Sequence, residues 1–360
     1  MRKFKCPFCL HEFTKEESIK INRNGMTLYK CPNKAKDSEN RPLCGKMLPL
    51  RFFESESKVI SLVGGVGVGK TYFFMALKRI LERGAINELG ITGNMFFGDE
   101  ESENYFNQIL LECDKGKIVA TKKDAGVEKR ALGLEIHIEQ KGFIKTNKII
   151  YVSFFDNPGE GFNNPIYIAE NMNLHKSDAV IFLISPEQLE NYDELTKSHC
   201  DGLISPSPIA DVINNITNVF QLINPKTFMR FSSRKISVPF AFCISKFDNL
   251  KESFSIYLPD DLSDHTFFAS HKFKSKLISN GFTNDENGII VTINSISSKI
   301  ESIIYARNNN TYLKQRIQAN FSNYRYFGVE SIRFENSESG LAPKGIALPL
   351  IWVLHNIKQL

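Results

Sequence analysis

The sequence predicts an α/β fold, a three-layer α/β/α arrangement around a mostly parallel sheet with a small metal-binding module ahead of it. Short apolar runs alternate with helical stretches after residue 57, the texture of strands feeding a layered sheet. One pair of strands is joined too tightly for a crossover helix. Four of the seven cysteines fall within the first 44 residues, apart from the rest of the chain.

The strand candidates are Val59–Val63, Leu132–Glu139, Lys148–Phe155, Ala179–Ser185, Pro239–Ser245 and Tyr324–Val329. Leu132–Glu139 alternates apolar and polar residues, as a half-exposed edge strand does. Lys148–Phe155 is almost wholly apolar, as a strand buried on both faces is. Only Gln140–Asn147 joins these two, so they are expected to form an antiparallel edge hairpin. Helices are expected over Tyr72–Arg83, Glu101–Glu112 and Leu348–Ile357.

Charge divides the chain in the same place as the cysteines. Residues 1–50 carry a net charge of +6, and the remainder carries −1. This predicts one domain over residues 1–50 and a second over 51–360, with Arg51–Ser57 as a short polar joint. The longest apolar runs are far short of a membrane span, and no secretory signal is visible at the start. Sparse, odd-numbered cysteines fit a reducing cytoplasm better than a disulfide framework.

Gly64-Gly65-Val66-Gly67-Val68-Gly69-Lys70-Thr71 fits G-x-x-x-x-G-K-[ST] directly after a strand and before a helical run that opens at Tyr72. Glycines let the backbone N–H groups wrap phosphates, and the helix N-terminus adds a favourable dipole. Lys70 would reach the outer phosphates and the Thr71 hydroxyl would ligate Mg²⁺. Residues 64–72 are therefore the candidate phosphate site.

The buried strand ends in Asp156-Asn157-Pro158-Gly159-Glu160. A carboxylate at the tip of such a strand is suited to holding Mg²⁺, usually through water. Gly159 would bring its amide close to a γ-phosphate. Glu160 would orient the attacking water, or else stand as a solvated loop carboxylate. A threonine between the phosphate loop and Leu132 should complete the metal's coordination; Thr121 is the candidate, with Thr92 as the alternative.

Phe242-Cys243-Ile244-Ser245-Lys246-Phe247-Asp248 is an apolar strand ending in Ser-Lys-x-Asp. An Asp at position 248 can accept two hydrogen bonds from the guanine ring N–H and exocyclic amine, a donor pair that adenine lacks. The Lys246 stem can lie over the base. A further base contact is expected from a backbone amide after the last strand. Ser331 with Ile332 is preferred for it over the competing turn Thr292–Ser295.

Cys6-x2-Cys9 followed by Cys31-x12-Cys44 supplies four soft ligands for tetrahedral Zn²⁺. A zinc ribbon is the natural reading, since so short a module with few aliphatics needs a metal to fold. Its basic surplus admits nucleic acid, but a protein contact is favoured. Cys113, Cys200 and Cys243 are read as structural.

With these residues in view, the chain resembles GTPases of the TRAFAC (translation-factor-like) class. More narrowly it resembles the bacterial double-GTPase families of predicted conflict systems. There a zinc ribbon precedes a P-loop GTPase domain with Asp-x-x-Gly-Glu, here Asp156–Glu160, and a C-terminal Pro-Leu-x-Trp-x-Leu-like helix, here Pro349–Leu354. Ser245 and Ile332 depart from the usual pattern, as does the long second knuckle. The resemblance implies a partner protein, a second GTPase or effector, and a role in antiviral defence. The expected activity is Mg²⁺-dependent hydrolysis of GTP to GDP and phosphate, slow without a partner. An ATPase and a nucleotide-bound scaffold with negligible turnover are the alternatives.

Overall fold

The computed structural model describes residues 2–23, 25–34, 44–65, 67–84, 86–97, 100–115, 130–140, 146–156, 166, 172–189, 209–223, 235–247, 250, 286–305, 311–331 and 343–357. The N-terminal module holds β1 (Phe4–Lys5), β2 (Glu12–Phe13), β3 (Ile19–Arg23), β4 (Met26–Lys30) and β5 (Met47–Pro49). The large sheet is built from β6 (Glu56–Gly64), β7 (Ile91–Phe97), β8 (Arg130–Gln140), β9 (Thr146–Asp156), β10 (Ala179–Ile184), β11 (Phe240–Ile244) and β12 (Tyr324–Gly328). Its order in space is β12-β11-β10-β6-β9-β8-β7.

From β12 across to β9 the strands are parallel. β8 then runs antiparallel to β9, with registers from Arg130↔Asp156 to Gln140↔Thr146, which is the expected hairpin. A further strand, β7, pairs antiparallel with the far side of β8 and forms the sheet's edge. The alternation in Leu132–Glu139 thus marks not an outermost strand but one with unlike faces. Leu132, Leu134, Ile136 and Ile138 enter the main core, while Glu135 and His137 are half-buried.

The helices are α1 (Lys70–Glu82), α2 (Glu100–Asp114), α3 (Met172–His175), α4 (Ile209–Ile223), α5 (Glu286–Tyr305), α6 (Thr311–Asn320) and α7 (Ala347–Asn356). α1 buries Phe73, Phe74, Leu77, Ile80 and Leu81, the spacing that keeps one helix face on a core. α7 is apolar all round and buried from Ala347 to Leu354, with Trp352 against Phe327. Pro349 is tolerated because it lies in the first turn, where amide donors have no intrahelical acceptor. Among the described residues, no helix is long and apolar enough to cross a membrane.

The N-terminal module is seated on the face of the sheet opposite α1. β9 alternates accordingly: Ile150, Val152 and Phe154 belong to the main core, and Ile149 and Tyr151 to the module's own cluster. That cluster also contains Phe4, Phe8, Phe13, Tyr29 and Leu48. Phe52 and Phe53, from the stretch read as a polar joint, are among its buried members, on a 3-10 turn over Leu50–Glu54. The carboxylate of Glu135 accepts a hydrogen bond from the Tyr151 hydroxyl and lies 3.9 Å from Arg51. Burial first, then this carboxylate, pushes the Tyr151 phenol well above its ordinary pKa.

Leu10 adopts φ 58°, a left-handed conformation rare outside glycine, yet its side chain is only 2% exposed. The conformation costs about 1–2 kcal/mol. Burying a leucine side chain returns about 1.5–3 kcal/mol, so burial wins.

Candidate functional site

The phosphate loop hangs between the central strand and α1. β6 ends at Gly64, and Gly69 caps α1 at φ 88°, ψ 24°, a left-handed setting that turns the chain straight into the helix. The Phe73 amide donates to the Gly69 carbonyl at 2.9 Å, closing the first turn. Lys70 folds back over the loop, its Nζ donating to the carbonyls of Gly64 and Gly65 at 2.9 Å each. Thr71 and Tyr72 are half-buried in the first turn, and Tyr72 packs against the core. Val68 is 1% exposed, so its side chain anchors the loop and only its backbone is left for a ligand. Gly67 is exposed, and Val66 lies outside the described residues.

Gly64 is required by close approach. A Cβ there would stand 2.7 Å from the Leu183 carbonyl oxygen and 2.8 Å from a Val68 methyl. Backbone cannot yield cheaply, so Gly64→Ala should displace the loop from β10. The expected result is at least about tenfold weaker nucleotide binding in a folded chain, since pre-set loop geometry is what the phosphates read. Titration with a fluorescent GDP analogue checks it, and unchanged affinity would show that the loop tolerates the shift.

Asp156 is the last residue of β9 and stands opposite Leu62 of β6, two residues before Gly64. Its backbone therefore lies beside the start of the phosphate loop. On the other side it faces Arg130, the first residue of β8. A threonine hydroxyl and a carboxylate are hard oxygen donors of the kind Mg²⁺ takes. Gly159, Glu160 and Thr121 lie outside the described residues. Thr92, the alternative to Thr121, is an exposed position on the edge strand β7.

The candidate base-reading turn is strapped to both neighbouring strands. Ser245 is buried; its amide donates to the Ile184 carbonyl at 2.8 Å and its hydroxyl to the same oxygen at 3.2 Å. The Val329 amide donates to Ile244 at 2.8 Å, and the Phe247 amide to Val329 at 3.3 Å. Lys246 has φ 47°, a costly setting for a non-glycine residue and one concentrated at functional sites. Ser331 follows Glu330, which exchanges two 2.9 Å backbone bonds with Lys344. The C-terminal ends of β11 and β12 thus hold the Ser245–Phe247 turn against Val329, two residues before Ser331. Asp248 and Ile332 lie outside the described residues. Thr292–Ser295, the competing turn, lies inside α5.

Two residues beside this site were not singled out from the sequence. The turn Pro186–Gln188 follows β10, and the Gln188 side-chain oxygen accepts from the Ser185 amide at 3.0 Å. Its side-chain nitrogen is 3.0 Å from where a Cβ on Gly65 would be. Glu187 lies 3.4 Å from the Lys246 ammonium. The turn therefore lies against both the glycine-rich loop at Gly65 and the turn at Lys246. The readable signal was Ser-x-x-Gln directly after a strand, which is capping-box spacing.

A family model described as Double-GTPase 2 matches residues 58–287, well over half of the chain. The chain belongs to the Double-GTPase 2 family. Membership implies guanine-nucleotide binding and GTPase activity, in keeping with a phosphate loop that leads from β6 into α1. A comparison with curated proteins finds no match. The matched span begins after the N-terminal module and ends before Ser331, so those parts stand on their own geometry.

That module brings Cys6, Cys9, Cys31 and Cys44 together, all four Sγ atoms lying within 4.8 Å of one another. Cys6 and Cys44 are 3.7 Å apart, and Cys9 and Cys31 3.8 Å. A tetrahedral thiolate site with Zn–S of about 2.3 Å has sulfur–sulfur edges of about 3.8 Å, so the cluster fits Zn²⁺. The first knuckle is closed by Leu10 N–H to the Cys6 carbonyl and Cys6 N–H to His11, both 2.9 Å. The Cys31 amide donates to Lys46 at 3.0 Å, and the Asn33 side chain donates to Cys9 Sγ at 3.5 Å. Burial pushes the Cys6 thiol up, whereas hydrogen bonds from Cys31 first, then Cys6 and Cys9, pull Cys44 down. Cys113 and Cys243 are buried in the main core, as structural thiols are; Cys200 lies outside the described residues.

Proposed function

We propose that this Double-GTPase 2 member is a Mg²⁺-dependent GTP switch that acts with a partner protein in a bacterial defence system. The supporting observation is Lys70, whose ammonium is held over the phosphate loop at the mouth of α1, beside the strand that ends in Asp156. Lys70 and the loop amides hold the phosphates, and Thr71 with Asp156 holds the metal. Magnesium supplies charge neutralisation between the outer phosphates. Thr121 joins the metal's coordination, Gly159 meets the γ-phosphate, and Glu160 orients the attacking water. Asp248 selects guanine, with Lys246 along the base and Ser331 and Ile332 closing its edge.

Positioning and charge do most of the work in such a site, so unassisted turnover is slow and a partner accelerates it. The four cysteines carry zinc, and the basic module around them offers a protein partner the rest of its surface. Nucleic acid is the less favoured occupant, and the chain works in the cytoplasm.

Asp248→Asn tests the base-reading assignment. The carboxamide presents a donor where guanine also presents donors, and xanthine presents an acceptor instead. GTP affinity should fall by about 100-fold and xanthosine triphosphate should replace it, because a buried donor left facing a donor costs several kcal/mol. An unchanged preference, or equal displacement of labelled GDP by ATP, would sink the reading.

A further inference from the structure

We propose that the first cysteine knuckle is a positioning element for the strand that carries Asp156, acting through Leu10 and Phe8. The proposal rests on the reading of Asp156 as the metal-side carboxylate. Leu10 forms its own buried cluster with Val59 of β6 and Phe155 of β9, and Phe155 directly precedes Asp156. Leu10 in turn directly follows Cys9. From a sulfur of the metal site to the candidate Mg²⁺ residue, the path is therefore one peptide bond, one side-chain contact and one more peptide bond.

Phe8, between the two cysteines of the knuckle, makes a second contact. Its ring meets Phe96 of β7 edge-on, with centroids 5.6 Å apart. Phe96 lies flat over Gly133 of β8: a Cβ there would stand 2.1 Å from the ring. The same ring touches Tyr151 of β9 at 5.4 Å. Two side chains whose backbone is set by the metal geometry thus bear on β6, β7 and β9, with Phe96 carrying one of them down onto β8. β9 is gripped from the other side by α1, through Phe74 against Phe154 at 5.5 Å.

The backbone at Leu10 supports a role for that side chain. The equivalent place after Cys44 is Gly45 at φ 128°, whereas the first knuckle tolerates a leucine at φ 58°. Strain of this sort persists where the surroundings over-determine it. Glycine would satisfy the knuckle itself; leucine is what reaches Phe155.

Leu10→Gly separates the two jobs, because it relaxes the backbone while deleting the contact. The variant should keep one zinc per chain, read by metal release to a chromogenic chelator. It should also lose Phe155 and Asp156 amide protection in hydrogen exchange. Dissociation of a fluorescent GDP analogue in millimolar Mg²⁺ should accelerate roughly tenfold, within the range of couplings carried by packed side chains. Dissociation in Mg²⁺-free buffer without chelator, where the zinc stays bound, should be unchanged, and Leu10→Met should behave as the parent. Zinc loss from Leu10→Gly overturns the proposal, as does zinc retention with unaltered Mg²⁺-dependent dissociation. Asp156→Asn, measured alongside, separates the two failures. If it removes the Mg²⁺ effect and Leu10→Gly does not, the coupling alone is wrong. If it too leaves the Mg²⁺ effect intact, the metal-side reading of Asp156 falls and takes the proposal with it.

Discussion

Lys70→Ala is expected to weaken GTP and GDP binding by at least about 100-fold and to reduce turnover to background. The Nζ atom is fixed by two loop carbonyls at 2.9 Å, so the ammonium is placed before any phosphate arrives and little entropy is lost on binding. Removing one partner of a desolvated charge pair costs about 2–5 kcal/mol, and most of that comes from the other charge left unpaired. Here the abandoned charge is a polyphosphate carrying several negative charges. The fold should survive, because α1 is held by Phe73, Phe74, Leu77, Ile80 and Leu81 rather than by its first residue. Calorimetric titration with GDP, with a thermal melt as control, checks both halves. Tight binding by a folded Lys70→Ala chain would show that the loop is not the phosphate site.

Legibility followed the range of the forces involved. The parallel strands were readable because β9, β10 and β11 are buried on both faces and write continuous apolar runs. The turn from β6 into α1 was readable because its backbone needs glycine at defined places, as at Gly69 and Gly64. β7 escaped notice: Ile-Thr-Gly-Asn-Met-Phe-Phe carries a glycine and a polar half, and it becomes a strand through pairing with β8. Thr292–Ser295 read as a turn because serine and asparagine favour turns, but tertiary burial of Ile293, Ile296 and Ile300 keeps it helical. Phe52 and Phe53 lie in the stretch that the sequence presents as a polar joint, and no local pattern marks Phe8 or Leu10 as packing residues. The partners Tyr151 (of Phe52), Phe96 (of Phe8) and Phe155 (of Leu10) lie roughly 90 to 145 residues away, and no local period carries such information. The turn that carries Glu187 and Gln188 is legible in its capping-box spacing, but their closeness to Lys246 and Gly65 is not, for the same reason.

The distant contacts make the cysteine cluster a matter of stability as well as of docking, and Cys44→Ser should show this. Losing one thiolate from a four-sulfur site weakens zinc binding sharply, and in small metal modules that binding energy is folding energy of about 10–16 kcal/mol. Here the folding energy is shared with the sheet. If the module opens, Phe4, Phe13, Tyr29, Phe52 and Phe53 lose their common core, and Tyr151, Ile149 and Phe155 of β9 lose their cover. The chain carrying Cys44→Ser should contain no zinc, bind a hydrophobic dye and melt roughly 5–10 °C below the parent, as a loss of about 5 kcal/mol implies for a domain of about 300 residues. Chelation of the parent should reproduce the shift, and restored zinc should reverse it for the parent but not for Cys44→Ser. A metal-free chain with the parent's melting temperature would mean that the aromatic core holds the module unaided. The basic surplus of residues 1–50 would then mark an appendage that merely rests on the sheet.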